Sequence, residues 1–364
     1  MFDIIGGLAD KSTRLAITRE IIENNRAFYV FGRNIYAMSL ISNFEVLGVV
    51  DDFTTDNNFL GVPVVKTASL SEKDIIIVAS GGKTLSVCRQ LERRKKRWVD
   101  YFFFKKNSGR QLQEIIFNEN FEVVYRNNEQ RFQEIRSKLS DCVSKNIFDK
   151  LISFRLSLNI EDLDGFSDRQ ELQYFETFLP QNKEHIFYDV GCFDGATSLL
   201  FAEKYPNYKR IFAFEPSEVN FARSKYKLEK LRNAEIVQFG LSDENEIKKM
   251  SLEGSASKID DKGEYEVQVK KGDDLEIEAP TFIKIDVEGF EAEVLEGLKN
   301  RIKENIPTIA VSIYHRPNDF IAIPEQVLRI HSDYNIFLRH YTETIYETVM
   351  FFVPKTADDA DSEE

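Results

Sequence analysis

The sequence predicts an α/β protein with two doubly wound domains: a mostly parallel sheet that ends in an antiparallel hairpin, and a smaller α/β domain before it. Strand-like and helix-like segments alternate over the first hundred residues, which is typical of a parallel sheet. A second alternation starts at Phe187–Gly195, where an apolar strand runs into a glycine-bearing turn and a helix. The 364 residues exceed one ordinary core, so two domains are expected.

Composition and charge exclude several classes of protein. The net charge of −13 argues against a large phosphate-binding face, so nucleic acid is not expected as a partner. Cys88, Cys142 and Cys192 are widely spaced and fit no zinc pattern, which suits a reducing cytoplasm. No run approaches the roughly 18 apolar residues of a membrane span, and Met1–Ala9 lacks the features of a secretory signal. We therefore expect a cytoplasmic protein without a membrane span.

Residues 1–108 are predicted to form the smaller, Rossmann-like domain. The apolar spacing in Lys11–Arg26 indicates an amphipathic helix, with Ser12 or Thr13 as its cap. The further strands and helices of this domain are expected at Ala27–Phe31, Asn34–Ser42, Val46–Val50, Ile75–Ala79, Thr84–Lys96 and Tyr101–Phe104.

Two short motifs bear on whether this first domain binds a ligand. Gly48–Asp52, followed by Gly61–Val64, resembles the nucleotide-sugar-binding domains found at the N-terminus of bacterial glycan-modifying enzymes. A dinucleotide site, however, needs several glycines in its first turn, and Phe31–Asn34 contains one. A structural or partner-docking role is therefore favoured over a nucleotide site.

Residues 109–182 are predicted to form a helical connector or cap. Helical periodicity is present in Glu129–Asp141, Ile147–Leu158 and Arg169–Phe178. Tyr174 and Phe175 precede the central strand of the next domain and could close over a ligand. Aromatic residues at such positions more often belong to a core, so the core interpretation is favoured.

Residues 183–355 are predicted to form the larger domain, followed by a disordered acidic tail at 356–364. An antiparallel insertion is expected at Lys248–Leu252 and Tyr265–Lys270, with the loop Gly254–Ser257 between its strands. The remaining strands and helices are expected at Ile186–Val190, Ala196–Lys204, Arg210–Phe214, Glu235–Phe239, Thr281–Val287, Ala292–Leu298, Thr308–Tyr314, Pro324–His331, Tyr334–Tyr341 and Glu347–Val353.

Polar residues follow the second and third strands of this domain. Glu215 ends the second strand, where a carboxylate can accept both hydroxyls of a ribose. Ser242 or Asp243 follows the third strand and could accept from an adenine amine, although a plain turn is an equal alternative. Asp194 is expected to cap the helix after the glycine turn, and Cys192 to be packed.

Three acids and a histidine are expected at the carboxyl edge of the same sheet. Asp286, Glu288 and Glu291 follow the fourth strand, and His315 follows the fifth. The acids could receive a cationic ligand, take a proton from a hydroxyl, or hold a divalent metal. Capping of the next helix is a credible alternative for Glu288 and Glu291, and a structural histidine is an equal alternative for His315.

The first turn distinguishes between two cofactors. A nicotinamide site favours a close glycine pair, whereas Asp189, Gly191 and Gly195 are more widely spaced. This spacing, the strand-end glutamate and the closing hairpin resemble class I S-adenosylmethionine-dependent methyltransferases. The chain from Gln170 to Pro354 more narrowly resembles the FkbM family, through the segments Phe187–Gly195, Phe214–Ser217, Gly240–Asp243 and Ile283–Glu291.

The resemblance implies a class I methyltransferase sheet, S-adenosylmethionine as cofactor, and O-methylation of sugar hydroxyls in bacterial glycan or natural-product assembly. It implies that the turn holds the methionine end, Glu215 the ribose, and Ser242 with Asp243 the adenine side. The full set of implied cofactor-binding residues is Asp189, Gly191, Phe193, Asp194, Gly195, Glu215, Pro216, Ser217, Gly240, Leu241, Ser242, Asp243 and Asp286.

The chemistry then needs a group that takes the hydroxyl proton. Asp286 or His315 is the candidate base, with Glu288 beside them, and a metal-assisted version would use Asp286 and Glu288 as oxygen ligands. The acceptor is expected to be a sugar or glycan, free or linked to a nucleotide or lipid. Assembly of the protein into a homo-oligomer is a further hypothesis. The competing hypotheses are a non-catalytic scaffold in a glycan-assembly complex and a nucleotide-sugar enzyme such as an epimerase.

Overall fold

A computed structural model describes residues 8–181, 184–251, 258–259 and 263–356. The predicted loop Gly254–Ser257 and the acidic tail from Asp358 lie outside these residues. The chain divides into two compact units. Unit 1 comprises Met1–Glu122, Asp149–Gln170 and Tyr341–Tyr346, and unit 2 comprises Val123–Phe148, Glu171–His340 and Glu347–Glu364.

Unit 1 contains a six-stranded sheet in the order β3-β4-β2-β1-β5-β6. Its strands are parallel except for the antiparallel pair β3 and β4. The strands are β1 (Phe28–Phe31), β2 (Val46–Val50), β3 (Asn58–Phe59), β4 (Val62–Val65), β5 (Ile75–Val78) and β6 (Arg97–Asp100). The helices are α1 (Lys11–Glu23), α2 (Ile35–Asn43), α3 (Thr84–Arg93) and α4 (Tyr101–Asn107).

Three predictions for the first 180 residues are wrong. Tyr101–Phe104 is helix α4 and not a strand, because Asp100 caps it by accepting from the Phe103 N–H at 2.9 Å. All four of these aromatic residues are buried, and an apolar run does not distinguish a buried strand from a buried helix. Asp10, rather than Ser12 or Thr13, caps α1. Arg169–Phe178 contains a short 3-10 turn instead of a helix.

The middle of the chain forms α5 (Phe121–Lys138) and α6 (Cys142–Ser157). Helix α5 is kinked at Asn128, and α6 is divided between the two units. Within the described ranges, none of the helices combines the length and apolar character that crossing a membrane requires.

Unit 2 contains a seven-stranded sheet in the order β16-β17-β15-β14-β7-β8-β9. The strands are parallel except for β17, which is antiparallel to both of its neighbours. The strands are β7 (Ile186–Val190), β8 (Arg210–Phe214), β9 (Ala234–Val237), β14 (Phe282–Ile285), β15 (Thr308–Ser312), β16 (Tyr334–His340) and β17 (Thr348–Pro354). The helices are α7 (Ala196–Lys204), α8 (Glu218–Leu228), α9 (Glu291–Gly297), α10 (Lys299–Asn305) and α11 (Asp319–Ile330).

A second sheet in unit 2 has the order β10-β13-β11-β12. Strands β11 and β13 form the predicted antiparallel insertion. Gly240–Ser242, for which a plain turn is one of two equal alternatives, is a strand that pairs in parallel with β13. The strands are β10 (Gly240–Ser242), β11 (Glu246–Ser251), β12 (Lys258–Ile259) and β13 (Tyr265–Lys271).

The order of the strands determines where a ligand can bind in unit 2. The chain goes from β7 to β8 on one side, while β14 lies on the other side of β7, so the strand order reverses beside β7. In such sheets the loops at the carboxyl ends of the two strands diverge and leave a crevice. The mostly parallel sheet with its terminal antiparallel hairpin confirms the predicted fold class.

Candidate functional site

The glycine turn after β7 lies tightly over the end of β14. Gly191 has a φ of +76°, and a Cβ atom built on it would be 2.0 Å from the Asp286 carbonyl oxygen. A side chain at this position would force the strand ends apart. Gly195 has a φ of +82° and begins helix α7. The Gly191 and Cys192 N–H groups both donate to the Phe214 carbonyl at 3.1 Å, which fixes the turn between β8 and β14.

A buried ion pair supports this turn from below. Lys284 on β14 lies 3.2 Å from Asp189 on β7, and its ammonium also donates to the Gly191 carbonyl at 2.6 Å. Ser198 donates to the other carboxylate oxygen of Asp189 at 2.7 Å. Burial lowers the pKa of Lys284, but Asp189 and Asp286 outweigh it and raise the pKa above its usual value. Asp189 therefore stabilises the turn indirectly, because it pairs with the lysine that donates to the Gly191 carbonyl.

A cavity of about 300 Å³ opens beside the turn. All of its lining residues belong to unit 2. The predicted site residues that line it are Gly191, Phe193, Asp194, Glu215, Pro216, Gly240, Leu241, Asp286 and Glu288. The predicted site residues that do not line it are Asp189, Gly195, Ser217, Ser242, Asp243 and His315.

Glu215 is fixed at one wall of the cavity. It is 4% exposed, and its two oxygens accept from the backbone N–H groups of Phe193 at 3.0 Å and Ser217 at 2.9 Å. Burial raises the pKa of Glu215 to about 7, although the two N–H groups oppose the shift. Each oxygen keeps a lone pair, so the carboxylate remains able to accept from a ligand hydroxyl.

The wall expected beside an adenine is made by β10. Gly240 and Leu241 line the cavity, whereas Ser242 is fully buried and donates to the Asp243 carboxylate at 3.0 Å. The Ser242 carbonyl lies so close to Gly297 that a Cβ there would be 1.9 Å away. The neighbours of Ser242 are therefore protein groups.

Asp194 lies one residue before Gly195, the N-cap of α7, and hydrogen-bonds to the first turn of this helix. Its carboxylate accepts from the Ala196 N–H at 3.0 Å and pairs with Lys227. Cys192 is buried, which agrees with its predicted packing role, and burial raises the pKa of its thiol.

Three carboxylates line the opposite wall. Asp286 accepts from the Tyr174 hydroxyl at 2.6 Å, and Glu347 accepts from the Gln173 amide. Glu288 has a φ of +54°, a strained conformation for a residue with a side chain. Burial, together with the neighbouring carboxylates Asp286 and Glu347, raises the pKa of Glu288 to about 8, although the cationic His315 opposes the shift.

His315 lies behind these acids. Its Nδ1 is 2.8 Å from Glu291, and its Nε2 is 3.5 Å from Asp286 and 3.4 Å from Glu288. Burial by itself lowers the pKa of His315, but the three carboxylates outweigh it and raise the pKa to about 10. At neutral pH the ring therefore carries both protons, and it acts as a fixed positive charge.

The same group contains the atoms of a candidate metal site. Asp286, Glu288 and His315 each offer one ligand atom, and these atoms lie within 4.8 Å of one another. Carboxylate oxygen and imidazole nitrogen suit several divalent metals. A metal would have to displace the Nε2 proton of His315, so metal binding competes with the ion pairs. The divalent metal stays a hypothesis.

Several residues of the cavity wall are not predicted from the sequence. The sequence favours a core position for both Tyr174 and Phe175. Phe175 does pack against core aromatic rings, whereas Tyr174 lines the cavity. Glu347 is predicted only as part of a strand. Because β17 is antiparallel to β15, its start lies at the edge where β15 ends, and this topology could have identified Glu347. Gln173, Lys284 and Tyr314 also line the cavity.

Comparison with known proteins gives three findings. Residues 189–343 match the FkbM methyltransferase domain family. The hexuronic acid methyltransferase AglP of Haloferax volcanii is 27% identical over 165 residues, which cover 43% of this chain and 65% of that protein. The match thus spans slightly less than two thirds of that relative. The crystal structure of the methyltransferase FkbM from Methylobacillus flagellatus superposes with a TM-score of 0.74 and 21% identity, and covers 93% of each chain.

Proposed function

We propose, from the match of residues 189–343 to the FkbM methyltransferase domain, that this protein transfers a methyl group from S-adenosylmethionine to a sugar hydroxyl. The match of residues 189–343 to the FkbM methyltransferase domain agrees with the resemblance seen in the sequence. One observation supports the finer reaction: a single cavity of about 300 Å³ is lined by the glycine turn, by Glu215 and by the carboxylates Asp286, Glu288 and Glu347.

The first side of the cavity suits the cofactor. Gly191 brings the turn close to the strand ends, so backbone groups border the cavity, and Glu215 keeps lone pairs for two ribose hydroxyls. We assign Gly191, Phe193 and Glu215 to its binding, and Gly240 with Leu241 to the adenine side. When bound, S-adenosylmethionine supplies an electrophilic methyl group on a positively charged sulfonium.

The second side suits an acceptor rich in hydroxyl groups. Carboxylates accept hydrogen bonds from sugar hydroxyls, and three of them line this wall. The relative AglP is named for a hexuronic acid. In this cavity the carboxylate of such a sugar would be repelled by Asp286. The positive charge of His315 is buried, so it is not exposed to bind that carboxylate. We therefore propose a neutral sugar as the acceptor, free or linked to a nucleotide or lipid in glycan or polysaccharide assembly. The free cysteines Cys88 and Cys142 support a reducing, cytoplasmic setting.

Glu288 is the best candidate for the group that takes the hydroxyl proton. A base works best when its pKa lies near the working pH, and burial raises the pKa of Glu288 to about 8. His315 is protonated at neutral pH, so it supplies positive charge rather than a proton-accepting atom. Asp286, held by Tyr174, is the alternative base.

The substitution Glu288→Gln tests this assignment. We expect kcat to fall by about 10²- to 10⁴-fold, while the affinity for S-adenosylhomocysteine measured by calorimetry is unchanged. In the native protein kcat should rise with pH up to about 8, because the carboxylate must lose its proton first. Glu304→Gln, at an exposed position of α10, is the matched control. A Glu288→Gln protein with native kcat would transfer the role to Asp286.

The reaction itself is tested with a labelled methyl donor. The protein is incubated with cofactor and with matched neutral and uronic acid sugars, and mass spectrometry locates the methyl group. We expect label on a hydroxyl oxygen of the neutral sugar. Absence of both labelling and S-adenosylhomocysteine binding would favour the non-catalytic scaffold.

A further inference from the structure

The parallel sheet of unit 1 has its own crevice where a ligand would be expected. Strands β1 and β5 are neighbours, and the chain runs from β1 toward β2 on one side and from β5 toward β6 on the other. The strand order therefore reverses between β1 and β5, and the loops after these two strands border the crevice. Those loops are residues 32–34 and 79–83.

A distant segment of the same chain lies in this crevice. The segment Tyr341–Tyr346, which we call the inserted segment, belongs to unit 1. The Thr344 hydroxyl donates to the Gly81 carbonyl at 3.2 Å, and the Tyr346 and Tyr36 hydroxyls share a hydrogen bond of 2.8 Å. The first five residues of the inserted segment are at most 5% exposed. It thus contacts the loop after β5 and the helix after β1.

Glu343 of the inserted segment binds the start of helix α3. Its carboxylate accepts from the Ser86 N–H at 2.7 Å and from the Ser86 hydroxyl. Ser86 is the third residue of this ten-residue helix, and its N–H is one of the four that no helix carbonyl can accept. Such groups, with the positive end of the helix dipole, bind phosphates in nucleotide-binding sheets. Glu343 is 3% exposed, so its negative charge is enclosed at this position.

The rest of the crevice is closed by unit 1 itself. Gly32 has a φ of +116°, and a Cβ on it would be 2.7 Å from the Ala79 carbonyl oxygen. Asn34 donates to the same carbonyl at 2.5 Å. The turn after β1 therefore packs directly on the end of β5.

We propose that the crevice of unit 1 is an internal docking site for the inserted segment, with the Glu343 carboxylate in the position of a ligand phosphate. Unit 1 then binds one carboxylate of its own chain at this position and takes no nucleotide. The inserted segment connects β16 to β17 and ends one residue before Glu347, which lines the cavity of unit 2.

Hydrogen exchange of the full-length protein tests the docking. In Glu343→Ala, the amide of Ser86 and those of the inserted segment should exchange about 10- to 100-fold faster, because a charged hydrogen bond is lost. Glu45→Ala, which removes an exposed acid of unit 1, is the matched control and should leave both unchanged. Native exchange at Ser86 in Glu343→Ala would overturn the proposal. If that variant does not fold, Thr344→Val should accelerate exchange in the inserted segment by about threefold to tenfold, and no change there would overturn it.

Nucleotide binding gives the second measurement. Thermal unfolding of the native protein is compared with and without millimolar UDP, ATP or NAD. We expect no shift of Tm for the transition reported by Trp98, the single tryptophan, which lies on β6. Saturating S-adenosylhomocysteine is present in every sample to occupy the cavity of unit 2, so a rise of several degrees with any of the three would show that the crevice admits a nucleotide and would overturn the proposal.

Discussion

Units 1 and 2 repeat one arrangement, a strand, a glycine turn and a helix beside the point where the strand order reverses, but they fill the crevice differently. Gly32 and Gly191 both have positive φ, and a Cβ on either would collide with the carbonyl at the end of the neighbouring strand. Unit 2 leaves a cavity beside its turn, whereas the inserted segment occupies the crevice of unit 1. The glycine is thus required for the turn to pack, and it does not by itself indicate a ligand.

The acid after the second strand shows the same difference. In unit 1, Asp52 accepts from the N–H and hydroxyl of Thr67 at 2.7 and 2.8 Å, so both oxygens brace a neighbouring loop. In unit 2, Glu215 reaches the glycine turn through Phe193 and lines the cavity. A strand-end acid is a ribose candidate where it connects to the turn and borders a cavity.

Replacing the two glycines gives the largest expected effects. Gly191→Ala should lower the free energy of unfolding by about 2–4 kcal/mol, because it adds both a collision and backbone strain. It should also weaken S-adenosylhomocysteine binding by more than about 100-fold, since the turn must move. Gly32→Ala should cost a similar amount in unit 1, seen in Trp98 fluorescence during urea unfolding, without loss of binding.

The control for both glycine variants is Gly61→Ala. Gly61 has a φ of +84°, but no atom lies within 4 Å of its Cβ position, so strain alone should cost about 1 kcal/mol. The comparison fails if Gly191→Ala binds S-adenosylhomocysteine as tightly as the native protein, or if Gly32→Ala loses binding.

Glu215→Gln should have an intermediate effect, about a 10- to 100-fold loss of S-adenosylhomocysteine affinity at pH 8 by calorimetry. An uncharged amide accepts ribose hydroxyls less strongly than a carboxylate does. The pKa of Glu215 is raised to about 7, so below pH 7 binding must first remove a proton. Native affinity should therefore fall by up to about tenfold per pH unit below 7. The affinity of Glu215→Gln should not depend on pH in this range. The control is Asp52→Asn in unit 1, which should bind S-adenosylhomocysteine with native affinity and native pH dependence.

The strands that position the cofactor side could be predicted almost to the residue. Ile186–Val190 and Arg210–Phe214 have the predicted bounds because both are short apolar runs, buried on both faces, that end in a recognisable turn or acid. Parallel strands place their ends at one edge, so the sequence pattern alone could assign Glu215 and Asp286 to one site.

The contact of Tyr174 with Asp286 and the docking of the inserted segment could not be predicted in this way. Tyr174 and Asp286 are 112 residues apart, and Ser86 and Glu343 are 257 apart, so tertiary packing alone brings them together. Neither pair leaves a local periodicity that distinguishes a cavity residue from a core residue. Long-range contacts of this kind also explain why the pKa of His315 departs so far from its ordinary value.

The smallest expected effects come from the residues that cap the helices after the two turns. Asn34 accepts from the Tyr36 and Ala37 N–H groups at 3.0 and 3.1 Å and donates to Ala79, so Asn34→Ala should lower the free energy of unfolding by about 1–2 kcal/mol. Asp194 accepts from one N–H, so Asp194→Ala should cost about 0.5–1 kcal/mol.

The affinity for S-adenosylhomocysteine can then be compared between the Asn34→Ala and Asp194→Ala variants. Asn34→Ala should leave S-adenosylhomocysteine affinity unchanged, because the crevice of unit 1 already contains the inserted segment. Asp194 lines the cavity of unit 2, but its carboxylate is engaged by Ala196 and Lys227, so Asp194→Ala should change the affinity by less than about threefold. A tenfold loss in Asp194→Ala would mean that this carboxylate also contacts the cofactor, and the cap in unit 2 would then differ in kind from the cap in unit 1.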